Sequence, residues 1–357
     1  MNLTKEYDIL QDAFEPLILR GEIARGKRKP KGVYRLDDAY GDIELRSLEH
    51  KSPYTFIRRT PITEFDKLCL TKYDLVRNET SYQYSFEDSQ GTPQIVGGTN
   101  DDVPVVELSY TTENIPIVRI ELGISMTSDD IQTVDIATYG EYGNNLLERK
   151  VASVMKKMDE RACQLGFYGM PDSGFEGLLT NSNVNLEPSA FDYYAETDAS
   201  AIATEFTQTF YDVWVASNSV EKPDTALIPL DLMAKMATTY TPTGDKRTAL
   251  SLIKEQLDPM GVEIVPRIEV GSTNLETNGA LPAGTDRDML VFYKRKTNPP
   301  DVHGNVYPNL ERHMTPCYSY PWEYTNIRYK TRIRQDLTGV FFSFAGSALR
   351  VTIPKKA

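Results

Sequence analysis

The sequence predicts an α+β protein built from a long strand pair, one extended helix and a unit in which short strands alternate with helices. Three observations carry this. Ser81-Tyr82-Gln83-Tyr84-Ser85-Phe86 alternates polar and aromatic residues, the two-residue period of a strand with one covered face. Leu147, Val151, Val154, Met155, Met158, Ala162 and Leu165 recur at the three- and four-residue spacing of one helix face. Past Pro188, short apolar runs alternate with helical patterns, as when helices pack on a sheet.

The first stretch, to about Pro53, has little periodicity. Its basic cluster of Arg20, Arg25, Lys27, Arg28, Lys29 and Lys31 is interrupted by Gly21, Gly26, Pro30 and Gly32, which forbid a stable helix and predict an arm or long loop. Such an arm either touches nucleic acid or an acidic partner, or is a solvated tail. From Leu70 to Ile120 the pattern is strand-like. The second run, Val103 to Ile120, is rich in Val, Ile, Thr and Tyr, with Pro104 and Pro116 marking edges. Glu87–Pro93 and Gly97–Asn100 make a wide tip between the two runs. Two strands alone bury too little surface to be stable in water, so this projection predicts a partner that covers it.

Thr127-Ser128-Asp129-Asp130 reads as a helix start, with short oxygen-bearing side chains as caps and acids at the positive dipole end. A continuous helix from Thr127 to Leu165 would span roughly 58 Å at 1.5 Å per residue. Its polar face carries Glu148, Lys150, Lys156, Lys157, Glu160 and Arg161. The glycines of Gly166–Asn181 do not make a phosphate loop, because they follow a helix and include no lysine; the segment predicts a chain reversal. The alternating unit is expected from Pro188 to about Asp288, with helices near Ala201–Ser217 and Arg247–Leu257, a helix start at Pro229-Leu230-Asp231, and strands at Thr225–Leu230 and Val262–Val265. From Met289 strands return, at Ile327–Arg334, Gly339–Phe344 and Leu349–Pro354, so the α/β unit reads as an insertion in a domain whose sheet comes from both flanks.

Composition limits function. The chain has 39 basic and 51 acidic residues, a formal net charge of −12, which excludes a general nucleic-acid-coating protein. Tyrosine is frequent, 21 against 13 Phe and 2 Trp, and its ring with a polar tip suits surfaces both packed and wet. There is no run of about 18 apolar residues, and Met1–Asp8 lacks a secretory core, so a soluble chain made in a reducing cytosol is expected. Cys69, Cys163 and Cys317 are too far apart for a metal knuckle and odd in number for a disulfide framework. His303 beside Asp301, with His313 further on, is a weak metal candidate on what reads as an exposed loop. Acidic pairs such as Asp37-Asp38, Asp101-Asp102 and Asp129-Asp130 leave a hydrolase as an alternative, but no nucleophile elbow, metalloprotease, Walker or dinucleotide-binding signature is present.

One ordered set of motifs resembles a known family. It runs from Asp88-Ser89-Gln90-Gly91 and Asp101-Asp102-Val103-Pro104-Val105-Val106 to the strand Ile115–Val118 and the long helix. The turn ending Gly177-Leu178-Leu179-Thr180-Asn181 and a terminal Thr338-Gly339-Val340 follow. This resembles the major capsid proteins of tailed bacteriophages with the Hong Kong 97-type fold, most closely the encapsulating-protein-like subgroup. Thr180 inside Gly-Leu-Leu-Asn and the single Gly339, where a Gly-Gly pair is common, are departures.

The resemblance implies an N-terminal arm at 1–58 and an extended β-hairpin loop with its base at 59–120. A peripheral domain with a spine helix would occupy 121–187, an inserted axial domain 188–288, and return strands 289–357. It implies a shell subunit forming pentamers and hexamers of an icosahedral virion around packaged DNA, synthesised in the host cytoplasm, with portal and scaffolding or decoration proteins as partners. No membrane, cofactor, metal or catalytic residue is implied. The inter-subunit contact candidates are Tyr82, Tyr84, Phe86, Asp88, Gln90, Asp101 and Asp102; those of the basic arm are Arg25, Lys27, Arg28 and Lys29. An encapsulin-type compartment is the alternative within the same fold.

Overall fold

The computed structural model describes residues 64–91, 105–127, 146–170, 173–242, 246–295, 309–325 and 328–355. The chain divides into two compact units, Met1–Ile62 with Pro321–Glu323 and Thr63–Tyr320 with Tyr324–Ala357, and nearly all described residues belong to the second. Its strands are β1 (Leu70–Lys72), β2 (Ser81–Gln90), β3 (Glu107–Thr127), β4 (Asn185–Pro188), β5 (Thr225–Pro229), β6 (Glu263–Arg267) and β7 (Arg287–Tyr293). They continue with β8 (Leu310–His313), β9 (Tyr318–Ser319), β10 (Glu323–Thr325), β11 (Arg328–Thr338), β12 (Phe341–Phe342) and β13 (Leu349–Pro354). The helices are α1 (Leu146–Tyr168), α2 (Ala199–Ala216), α3 (Leu230–Thr238), α4 (Ala249–Leu257) and α5 (Ser272–Thr277).

The α/β unit is a sheet ordered β4-β13-β7-β5-β6. Its central strand β7 explains the unbroken apolar run Met289-Leu290-Val291-Phe292-Tyr293: a strand covered on both faces needs no polar alternation. Met289, Val291 and Tyr293 enter one core with Phe65, Cys163, Phe167, Leu178 and Leu179. Leu290 and Phe292 enter the other with Ile202, Phe206 and Phe210 of α2, Leu232 of α3 and Ile253 of α4. The helices begin where their caps dictate. Asp198 accepts from the Ser200 N–H at 2.8 Å, and Thr248 from that of Ser251 at 3.2 Å.

Two boundaries differ from the sequence expectation. Leu349–Pro354 pairs antiparallel with β7 and parallel with β4, so the last strand is at the heart of the α/β sheet and not in a separate terminal sheet. A division at Asp288 therefore cuts through one sheet. Apolar alternation marks a strand but cannot name its partner, which is why sequence placed β13 wrongly.

The expected helix start at Thr127 is also corrected, since Thr127 ends β3, opposite Arg328. Residues 128–145 lie outside the described residues, and the described helix is the 23-residue α1, about 35 Å long at 1.5 Å per residue. Along α1, Val154, Met158, Ala162 and Leu165 are buried, Val151 and Met155 are half-buried, and Lys156 and Lys157 are exposed, the one-sided face expected. Gly169, at φ +62°, ends the helix in the left-handed conformation that glycine adopts without strain.

The chain reversal that follows is closed by backbone contact. Leu178 and Leu179 N–H groups donate to the carbonyls of Gly166 and Phe167, both at 2.8 Å. A Cβ on Gly177 would come within 2.5 Å of the Gly169 nitrogen and the Phe167 oxygen, so only glycine fits there. Asn181, the end of the Gly-Leu-Leu-Thr-Asn turn, donates from Nδ2 to the Val340 carbonyl at 2.9 Å.

Candidate assembly surface

The strand pair predicted from sequence is present, with different limits. Leu70–Lys72 is not part of it but a separate strand, parallel to β8. Strands β2 and β3 pair antiparallel from Ser81↔Pro116 to Gln90↔Glu107. Beyond Pro116, β3 changes partner and pairs with β11 from Ile117↔Thr338 to Thr127↔Arg328. One 21-residue strand, about 70 Å at 3.3 Å per residue, thus joins the hairpin to the body. Among the described residues, β2 forms an open edge of this sheet.

Opposed residues of an antiparallel pair share a face. Tyr82, Tyr84 and Phe86 lie on one face of the hairpin and are half-buried. The sequence offers them as inter-subunit candidates; within the chain each already has an aromatic neighbour and keeps part of its surface exposed. Tyr82 stacks on the His313 ring with centroids 4.1 Å apart, Tyr84 stacks on Phe341 at 4.8 Å, and Phe86 meets Tyr84 edge-on at 5.1 Å. The Tyr84 hydroxyl also donates to the Glu113 carboxylate opposite it. Gln90 is exposed opposite Glu107, and Asp88 pairs with Ser109 through the backbone. Asp101, Asp102, Arg25, Lys27, Arg28 and Lys29 lie outside the described residues.

Sequence reasoning missed the face that is free. Val106, Leu108 and Tyr110 are 64%, 54% and 65% exposed, and Val105 beside them is 80% exposed. Leu108 and Tyr110 stand opposite Ser89 and Glu87, on the face away from the stacked aromatics. Their signal was legible as Val106-Glu107-Leu108-Ser109-Tyr110, an alternation as regular as that of β2.

At the base of the hairpin lies a charged cluster that sequence did not assemble. His313, a weak metal candidate in the sequence, is buried on β8, the strand between β1 and β12, opposite Lys72. Its Nδ1 is 2.6 Å from Asp74 Oδ1 and its Nε2 is 3.4 Å from Glu311 Oε1; Lys72 pairs with Glu311. Burial works against the imidazolium, but the Glu311 and Asp74 carboxylates outweigh it and raise the His313 pKa. Burial likewise opposes the Glu311 carboxylate, and His313 and Lys72 outweigh it, lowering that pKa. His303 and Asp301 lie outside the described residues, among which no group of His, Cys, Asp and Glu is placed to hold a metal.

Neighbouring Arg312 is almost fully buried. It donates to the Ala162 carbonyl of α1 at 3.0 Å, to Thr71 Oγ1 at 3.0 Å and to Asp66 Oδ1 at 2.6 Å, with its guanidinium over the Phe65 ring. One arginine thus ties the end of α1 to the chain entering the hairpin.

A family model described as major capsid protein matches residues 91–352. The chain belongs to the major capsid protein family. Its fold is the Hong Kong 97 type. The capsid of Myoviridae phage XM1 is similar over 91% of this chain and 100% of its own, with a TM-score of 0.66 at 14% identity. That of Mycobacterium phage Adephagia covers 88% and 97%, with a TM-score of 0.53 at 11% identity. The SrpI encapsulin of Synechococcus elongatus PCC 7942 covers 88% and 96%, with a TM-score of 0.52 at 10% identity. No curated protein sequence matches the chain. As a member of the family it is a capsid shell subunit, associates with copies of itself and resides in the virion.

Proposed function

We propose that this capsid protein builds pentamers and hexamers of an icosahedral shell around the double-stranded DNA of a tailed phage, and that the hairpin straps each subunit to its neighbour. The observation that carries the strap is the free face of Val106, Leu108 and Tyr110, next to the open edge of β2. Three large apolar side chains on a two-stranded ribbon gain stability only when another surface covers them. Asp88, Gln90, Asp101 and Asp102 then supply a polar rim, and the basic residues Arg25, Lys27, Arg28 and Lys29 an arm that meets DNA or an acidic neighbour. A net charge of −12 gives packaged DNA little to adhere to, so the genome is enclosed without sequence-specific binding. Portal and scaffolding or decoration proteins complete the partner set, synthesis takes place in the host cytoplasm, and the subunit's role is structural and not catalytic.

The experiment is a shortened hairpin. Replacing residues 91–106 by Asn-Gly joins Gln90 to Glu107, already directly opposed, through a two-residue turn. The helical signal in circular dichroism should be unchanged and closed shells should be lost in electron micrographs. Normal closed shells from this variant would overturn the strap. The encapsulin reading has the likeness to SrpI in its favour, but the fit to the XM1 capsid is better in TM-score, 0.66 against 0.52. A cargo protein co-purifying with DNA-free particles from infected cells would reverse that preference.

A further inference from the structure

We propose that His313 is a proton-dependent anchor for the base of the hairpin, holding Tyr82 and Phe341 in one aromatic stack while charged and loosening it when neutral. The ring sits at the joint between the β1-β8-β12 sheet and the hairpin. It is stacked 4.1 Å from Tyr82 at 24°, and lies 5.7 Å from Phe341 at 9°; Phe341 in turn stacks on Tyr84. Nδ1 is within hydrogen-bond distance of Asp74 at 2.6 Å, while Nε2, buried and without a hydrogen-bond partner, lies 3.4 Å from Glu311. The imidazolium is attracted to both carboxylates at once, whereas a neutral ring carries one N–H and no charge to hold the second. A cation against the Tyr82 face adds an attraction that the neutral ring lacks.

The groups facing the ring come from every element around it. Asp74 follows β1, Lys72 on β1 acts through Glu311 of β8, and β2 supplies Tyr82, whose raised pKa keeps its hydroxyl neutral. β12 supplies Phe341, and β11 holds the backbone beneath the ring, the His313 backbone N–H donating to the Thr338 hydroxyl at 2.9 Å. Because the His313 pKa is raised, its contribution is complete below the ordinary value of about 6.5 and is lost as pH rises through the raised one. Because the Glu311 pKa is lowered, its contribution is complete above the ordinary carboxylate range and is lost as pH falls through the lowered value. The anchor is therefore firm between the ordinary carboxylate range and about pH 6.5, and weakens as pH rises through the raised His313 value.

The bearing on assembly rests on the strap reading of the hairpin; the anchor is tested without it. Hydrogen exchange of the unassembled full-length chain is followed from pH 5.5 to 9.5, corrected for intrinsic rates. Segments 81–86 and 111–115 should lose protection in one step above pH 6.5, by about tenfold for each pH unit by which the anchored pKa exceeds the free one, while β7 stays protected. H313Q should abolish the step and D74N should move it to lower pH. A hairpin with no such step, a step retained in H313Q, or an unmoved step in D74N overturns the anchor, and D74N alone decides if H313Q does not fold. Closed shells from the shortened hairpin would overturn the strap and leave the anchor standing.

Discussion

Phe292 and Tyr110 are both aromatic residues on strands, yet the first is fully buried and the second 65% exposed. Phe292 sits in the α/β sheet, where every residue of β5 and all but the first of β7 are buried between two cores supplied by this chain. Tyr110 sits on the hairpin, where β3 is exposed from Glu107 to Asn114 and pairs, among the described residues, with β2 alone. Strand chemistry is the same in both. The difference is whether the polypeptide itself provides the second layer. The α/β region is complete within one chain, and the hairpin keeps an apolar face in water.

The buried region is the more sensitive to substitution. Phe206 of α2, fully buried against Phe292 with centroids 5.2 Å apart, should cost about 3–5 kcal/mol of subunit stability when changed to Ala, read as a shifted denaturant midpoint. A loss under about 1 kcal/mol would mean that the α/β core is not self-sufficient. A smaller effect is expected from Asp198→Ala, which removes the oxygen capping α2 and should cost about 1 kcal/mol in the same measurement. The smallest effect on the isolated subunit belongs to the hairpin. Leu108→Ser with Tyr110→Ser should change its stability by less than about 0.5 kcal/mol, because both side chains are already in water. The same double variant should raise the concentration needed for shell assembly, followed by light scattering. Unaltered assembly would show that this face is not covered in the shell.

Much of the fold was legible because local pattern dictates element type. Predicted helices near Ala201–Ser217 and Arg247–Leu257 correspond to Ala199–Ala216 and Ala249–Leu257, where Asp198 and Thr248 cap them. The apolar stripe of α1 and the reversal at Gly166–Asn181 followed from spacing and from its glycines, of which Gly169 and Gly177 leave no room for a Cβ. The candidate surface was only half legible. The alternation of Tyr82, Tyr84 and Phe86 correctly marked a strand with a covered face, but a periodicity does not say what covers it. Phe341 and His313 lie more than two hundred residues away in sequence, and only folding brings them beneath those rings.

By itself, then, the sequence determined an α+β chain with a hairpin, a one-sided helix and a unit of short strands alternating with helices, because each is written in the spacing of neighbouring residues. Its ordered motifs also pointed to the capsid family. The tertiary structure alone decided which strands share a sheet: β13 beside β7, β3 divided between β2 and β11, and β1 against β8. It alone decided that His313 is enclosed by Asp74, Glu311 and Tyr82, and that the free apolar face belongs to Val106, Leu108 and Tyr110. The physical reason is common to all of these. Backbone pairing is nearly blind to side-chain identity, so a strand accepts many partners, and the choice is made by how the whole chain buries its apolar surface at once.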